Sequence, residues 1–204
     1  KKLLYTLGML IIFRFGSYVP VPYLDRARVM ALLSAGGGSS LLDFMNIFSG
    51  GAFANATIFA MSITPYINAS IIMQLLTVAI PALERISKEG EEGRKKLAQW
   101  SRYLTVVLAL IQAIGLYFTL KNGYQAVTTP GFLAGATIVL TFTAGTAFLM
   151  WLGEQINDKG IGNGISILIF AGIVSRGPQM IQAIVEYNKS GTLNIFTTII
   201  LIVV

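Results

Sequence analysis

The 204-residue sequence contains no cysteine and no histidine. Without thiols, a disulfide framework, a thiolate zinc site and a cysteine nucleophile are excluded. Without imidazole, serine triads, histidine haem ligation and imidazole acid–base chemistry are excluded as well. Charge is scarce: Asp, Glu, Lys and Arg together make 12% of the chain, against about 25% in ordinary soluble domains. Apolar residues make 54%, and the mean hydropathy is +0.70. A soluble core cannot hide that much apolar surface, and disordered chains are poor in it. The composition therefore points to a polytopic helical membrane protein, all-α in class.

Apolar stretches long enough for a bilayer core of about 30 Å, roughly 20 residues each, divide the chain. Leu3–Pro22 reads as a first span, Thr57–Ile80 as a second, Tyr103–Leu120 as a third and Gly131–Leu152 as a fourth. Gly164–Val185 reads as a fifth, weakened by Arg176, Gly177 and Pro178, and Leu193–Val204 begins a sixth. Lys1 and Lys2 precede the first run, but no small-residue cleavage site follows and Arg14 interrupts it, so a retained span is expected. There is no initiator Met, and the sequence stops inside an apolar run; it is expected to be part of a longer chain.

The net charge of +6 is not spread evenly, and six of the 15 basic residues fall between Arg85 and Arg102. Glu84, Glu89, Glu91 and Glu92 are mixed among them, which suits a solvated cytoplasmic loop better than a nucleic-acid patch. With the N-terminus inside, the inner segments hold nine Lys/Arg and the outer ones four. The positive-inside bias thus favours a cytoplasmic N-terminus.

Ser39–Phe48 fits no span. It is a short apolar stretch between Gly36-Gly37-Gly38 and Gly50-Gly51, long enough for about half a bilayer. It reads either as a helix lying flat on the outer surface or as a re-entrant half-helix enclosed by protein.

Ionisable side chains inside a membrane usually mark ion or proton pathways, and the second, third and fourth spans hold none in their interiors. That argues against a proton relay, a carboxylate metal site or an intramembrane aspartyl protease. Neither catalytic residues nor a metal site nor a cofactor is expected. The polar content is neutral, Ser62, Thr64, Asn68, Ser70, Gln74 and Gln112, residues that commonly bridge helices by hydrogen bonds. Pro65 is expected to kink the second span. Ile63 and Ile67 lie four apart, as do Ile165 and Ile169, so each pair shares one helix face. Gly160-Ile161-Gly162-Asn163-Gly164 lacks the strand and the Lys-Ser/Thr of a phosphate loop and reads as a tight turn between spans. Gly131 and Gly135 form a GxxxG pair suited to close helix packing.

Four stretches carry a resemblance to a known family. IFAMSITPYINASIIMQLL (Ile58–Leu76) closely resembles the second-span signature of the SecY family, central subunit of the protein-conducting channel. FLMWLGEQINDKGIGNGISILI (Phe148–Ile169) is similar to the family motif at the inner end of the fourth span. KEGEEGRKKLAQWSRY (Lys88–Tyr103) and NIFSGG (Asn46–Gly51) resemble its second cytoplasmic region and its plug junction.

The resemblance implies that residues 1–185 form the first five-span half of a ten-span inverted-repeat channel. Residues 186–204 would then be the hinge and the start of span six. It implies a plug at Leu41, Leu42, Asp43, Phe44, Met45, Asn46, Ile47 and Phe48. The pore ring would take Ile63, Ile67, Ile165 and Ile169, and the lateral gate Asn68, Gln74 and Gln112. Asn68 departs from the small hydroxyl residue frequent at its position. Implied partners are the small membrane subunits SecE and SecG, the motor ATPase SecA or a ribosome, signal sequences with the polypeptides they lead, and lipids. The implied location is the inner (plasma) membrane and the implied role is translocation, not catalysis. The alternative from another class is an inverted-repeat secondary transporter of small solutes, which also uses broken helices.

Overall fold

The structure is a computed structural model that describes residues 1–35, 46–123, 125–129, 131–177 and 182. Five of the expected plug residues, Leu41 to Met45, lie outside the described residues, as do residues 186–204. The helices are α1 (Lys2–Gly16), α2 (Arg26–Ala35), α3 (Thr64–Ala79), α4 (Pro81–Lys88), α5 (Glu91–Phe118), α6 (Phe132–Lys159) and α7 (Gly164–Val174). A π-turn over Thr119–Gly123 extends α5. Two isolated β-bridges, Pro20–Thr57 and Leu24–Val127, are the β-pairing among the described residues. The molecule is all-α, as expected.

Glu91–Asn122 and Phe132–Lys159 are long and apolar enough to cross a membrane. The bent pair α3 and α4 makes a third if counted as one span. The 15-residue α1 and the 11-residue α7 are shorter than the spans expected around them.

The second expected span is the one the structure revises most. Helix begins at Thr64, with Pro65 in its first turn, so Pro65 starts the helix and does not kink it. Proline lacks an N–H and its ring would strike the carbonyl four residues back, whereas at a helix start neither group is needed. The seven residues before it, Thr57–Ile63, form turns, with Ser62 in the left-handed region at φ 54°. Several of their amides are still engaged: Ile58 N–H donates to the Val19 carbonyl (3.0 Å), and Thr57 N–H donates to that of Ala52 (3.0 Å). Phe59, Ala60, Met61 and Ile63 are all buried. This apolar run is buried in protein.

At its other end α3 stops at Ala79, and Ile80, extended before Pro81, turns the chain through 102° into α4. The Arg85–Arg102 segment, expected as a solvated loop, is mostly exposed but helical, ending α4 at Lys88 and beginning α5 at Glu91. Glu91 and Glu92 sit in the first turn, where acids complement the helix dipole, and Lys and Arg are good helix formers.

Helix α6 is the hub. It packs against α5, α7 and α1, and twelve of its residues are buried. Glycines let the neighbours close in: a Cβ on Gly145 would stand 2.0 Å from the Ile58 carbonyl oxygen. On Gly135 it would meet the Tyr117 ring at 2.8 Å, while Gly131 has open space, so one glycine of the pair makes the close approach. Two apolar clusters result. One gathers Phe53, Met61, Tyr117, Ile138 and Phe142; the other joins Phe13, Phe59, Leu149, Leu152, Ile156 and Leu168.

Candidate functional site

The second cluster is where the isoleucine pairs meet. Ile63 is a buried member at 2% exposure, and Ile67 and Ile165 pack on its edge. Ile67 N–H donates to the Ile63 carbonyl at 3.1 Å, the one-turn spacing read from the sequence. Ile63 itself caps α3 from outside the helix. Ile169 is half-buried one turn beyond Ile165 and is not part of the cluster. Thus three of the four residues come together from two elements, and Ile63 is the one enclosed by α1, α6 and α7.

Beside this cluster a cleft of about 280 Å³ opens between α3 and α7. Ile67 and Ile165 contribute to it, with a rim of Tyr66, Ser70, Gln74, Asn157, Asn163 and Ser166. Among the described residues no carboxylate or cation lines it. A second hollow, about 330 Å³, shares Tyr66, Ser70 and Gln74 and extends toward α5 and Glu154. Gln74 is exposed on the wall common to both. Asn68 and Gln112 are half-buried on α3 and α5 and line neither hollow, so the structure does not bring the three polar residues to one place.

The cleft's far wall is built by the turn that carries the glycines. Asn163 caps α7, its side chain accepting from the N–H groups of Ile165 (3.0 Å) and Ser166 (3.3 Å). Asn157 accepts from Gly164 N–H at 2.7 Å. These amides are engaged in closing a turn, which leaves little of the loop to cradle a phosphate. Close by, a Cβ on Gly153 would stand 2.4 Å from Ile165 Cδ1, so α6 presses directly on the side chain that edges the cleft. Sequence reasoning missed Tyr66, Asn157, Asn163 and Ser166 as cleft residues. Asn163 carried a readable signal, a capping residue immediately before an apolar run.

The described end of the expected plug is a fixed junction. Asn46 is buried; its side chain accepts from Ala54 N–H (3.1 Å) and its carbonyl accepts from Gly51 N–H (2.9 Å). Ile47 and Phe48 are exposed, and the Phe48 carbonyl accepts from the Ser62 hydroxyl at 3.3 Å. Gly50 follows at φ 64°, and a Cβ there would lie 2.8 Å from the Gly172 carbonyl oxygen. The junction is clamped onto the end of α7. Among the described residues no cluster of acids could hold a metal ion.

The SecY family model matches residues 57–204. Protein translocase subunit SecY of Escherichia coli K12 is 49% identical over 207 residues, covering 100% of this chain and 46% of that protein. The subunit of the same name from Streptomyces griseus is 46% identical over 198 residues, covering 93% of this chain and 45% of that protein. The chain therefore spans about half the length of these curated relatives. Two solved structures share the fold at 21% identity and a TM-score of 0.64. One is described as the structure of a protein conducting channel, and this chain covers 42% of it. The other is described as Sec61 in the canine ribosome-channel complex from the endoplasmic reticulum, 43% covered. A match over residues 57–204, with relatives approaching half identity over the whole chain, establishes that this chain belongs to the SecY family.

Proposed function

We infer that this chain supplies the first half of a membrane channel that translocates secretory polypeptides and releases apolar segments sideways into lipid. The observation that carries this is the cleft between α3 and α7, edged by Ile67 and Ile165 and free of charged groups. A passing polypeptide is chemically varied, so its conduit must not bind any one group strongly. Branched aliphatic side chains instead exclude ions by dewetting and the cost of dehydration. A transporter of an ionic solute would need a charged group at that place, and among the described residues none lines the cleft.

In this reading residues 1–185 form the five-span half and 186–204 lead into the sixth span. The N-terminus faces the cytoplasm of a plasma-membrane protein. Residues 39–49 close the channel as a plug, hinged at the Asn46–Gly51 junction. Gln74 works at the lateral gate from the cleft wall, and Asn68 and Gln112 act from the flanking helices. Ile67, Ile165 and Ile169 touch the moving chain, and Ile63 reaches it when α3 and α7 part. SecE and SecG are the small membrane partners, and SecA or a ribosome supplies the driving force; support for the ribosome lies in the ribosome-channel complex among the solved structures. Signal sequences and lipids meet the chain at the gate.

The test is site-specific photocrosslinking to an arrested secretory chain. Probes at Ile67 and Ile165 are expected to give the strongest adducts, with a weaker one at Ile63. Adducts to lipid alone, with none to the arrested chain, would remove the pore assignment.

A further inference from the structure

At the end of the molecule opposite the Arg102–Glu154 ion pair, a partly enclosed cavity of about 190 Å³ lies where α1, the Gly50–Gly51 turn and the end of α7 meet. Three guanidinium groups, those of Arg14, Arg26 and Arg176, line it, and among the described residues no acid does. Asp25, close in sequence, is already held by Arg28 at 3.4 Å and accepts from Ala27 N–H. Arg14 has neutral partners only, donating to Ser175 Oγ (3.1 Å) and Tyr18 Oη (2.8 Å) with its guanidinium 4.9 Å from the Tyr18 ring centre. The guanidinium groups of Arg26 and Arg176 and the side-chain amide of Asn55 donate to no side-chain or carbonyl acceptor among the described residues.

Three cations around one hollow repel one another unless an anion sits between them, and low-dielectric walls focus their field into the space. At about 190 Å³ the hollow is well above what a single water needs and has room for a phosphate. Planar guanidinium forks match phosphate oxygens two at a time, a geometry that ammonium groups cannot copy. The cavity stands where α1 ends at Gly16.

We propose that Arg14, Arg26 and Arg176 form a binding site for a phosphate group, free or as the phosphodiester of an anionic lipid. The site does not depend on the channel reading. Bound phosphate would tie α1 to α7 across the Gly50–Gly51 turn, which is also where the plug junction is clamped.

The experiment uses the protein isolated as its native membrane complex in detergent. Inorganic phosphate, compared with chloride at equal ionic strength, is expected to raise the melting temperature saturably. Arg26→Gln/Arg176→Gln should abolish that gain. Arg26→Lys/Arg176→Lys keeps the charge but loses the forks, and its apparent phosphate affinity should fall about tenfold. In a second arm the complex is taken from nanodiscs containing phosphatidylglycerol through detergent exchange. Retained lipid that the Gln pair loses identifies the headgroup as the source; no retained lipid, with the phosphate response intact, identifies free phosphate. A melting response no greater than that to chloride, or one the same in the lysine pair as in the parent, would overturn the site. If the Gln pair cannot be purified, the lysine pair alone decides.

Discussion

At the scale of single residues, close approach outweighs local preference. Gly145 lies inside α6, where alanine is intrinsically better than glycine by about 1 kcal/mol. Its added Cβ would nevertheless stand 2.0 Å from the Ile58 carbonyl oxygen, a backbone atom that cannot rotate aside. Overpacking of this kind costs about 1–3 kcal/mol, so Gly145→Ala is expected to be net destabilising by about 1 kcal/mol. A Cβ added to Gly115, inside α5, would have nothing within 4 Å, so there the helix preference should prevail. Thermal unfolding of the two variants in one detergent checks the sign: Gly145→Ala lowers the melting temperature and Gly115→Ala leaves it unchanged or raises it. Equal shifts would mean that the Ile58 carbonyl does not hold its place against α6. Neither glycine stands out in the sequence. A close approach depends on what another segment places opposite, and the segment opposite Gly145 is the non-helical run that hydropathy had assigned to a span.

At the scale of elements, what could be read depended on whether the solvent or the rest of the protein decides the structure. The apolar parts of α5 and α6 follow charge and hydropathy, bounded by Arg102 and Glu154, while the helices themselves run on to Glu91 and Lys159. The turn between α6 and α7 was legible from its glycines. The Thr57–Ile63 run was not, because apolar residues buried against protein and against lipid look alike in composition; Pro65 was the cue, read as a kink where it marks a helix start. Of the cleft, the isoleucine spacing was legible but the meeting of Ile67 with Ile165 was not, since it depends on how α6 aligns α3 and α7. One element rests on a single side chain. Asn163 accepts two amide bonds at the start of the short α7, and losing such a cap costs about 1 kcal/mol. Asn163→Ala is expected to lower stability by about that amount and to speed hydrogen exchange at Ile165 and Ser166. Asn163→Asp, which keeps the accepting oxygen, should restore both. Failure of Asp to rescue would show that the amide side chain acts through the cleft and not as a cap.

At the scale of the whole molecule, the charges counted along the sequence collect at two ends. Arg102 Nε meets Glu154 Oε1 at 2.6 Å, which levels the start of the apolar part of α5 with the end of that of α6. Tyr5 donates to Gln155 at 3.2 Å, which brings the start of α1, and with it Lys1 and Lys2, to the same end. Trp100, Tyr103 and Trp151 are exposed at this level, where amphipathic rings favour the membrane–water boundary. Arg28, which donates to the Gln125 carbonyl, and Lys121 stand at the opposite end with the Leu24–Val127 bridge. The basic excess thus gathers at one end of the molecule, the end that the proposed orientation places in the cytoplasm. Because these 204 residues contain no cysteine, single thiols placed among them meet no competing thiol within this stretch. Gly93 is a poor site, since a Cβ there would stand 1.7 Å from the Ile86 carbonyl oxygen. Glu92 and Asn122 are exposed and serve instead. In intact cells an impermeant maleimide should label Asn122→Cys and spare Glu92→Cys until the membrane is opened. The reverse pattern would invert the proposed topology.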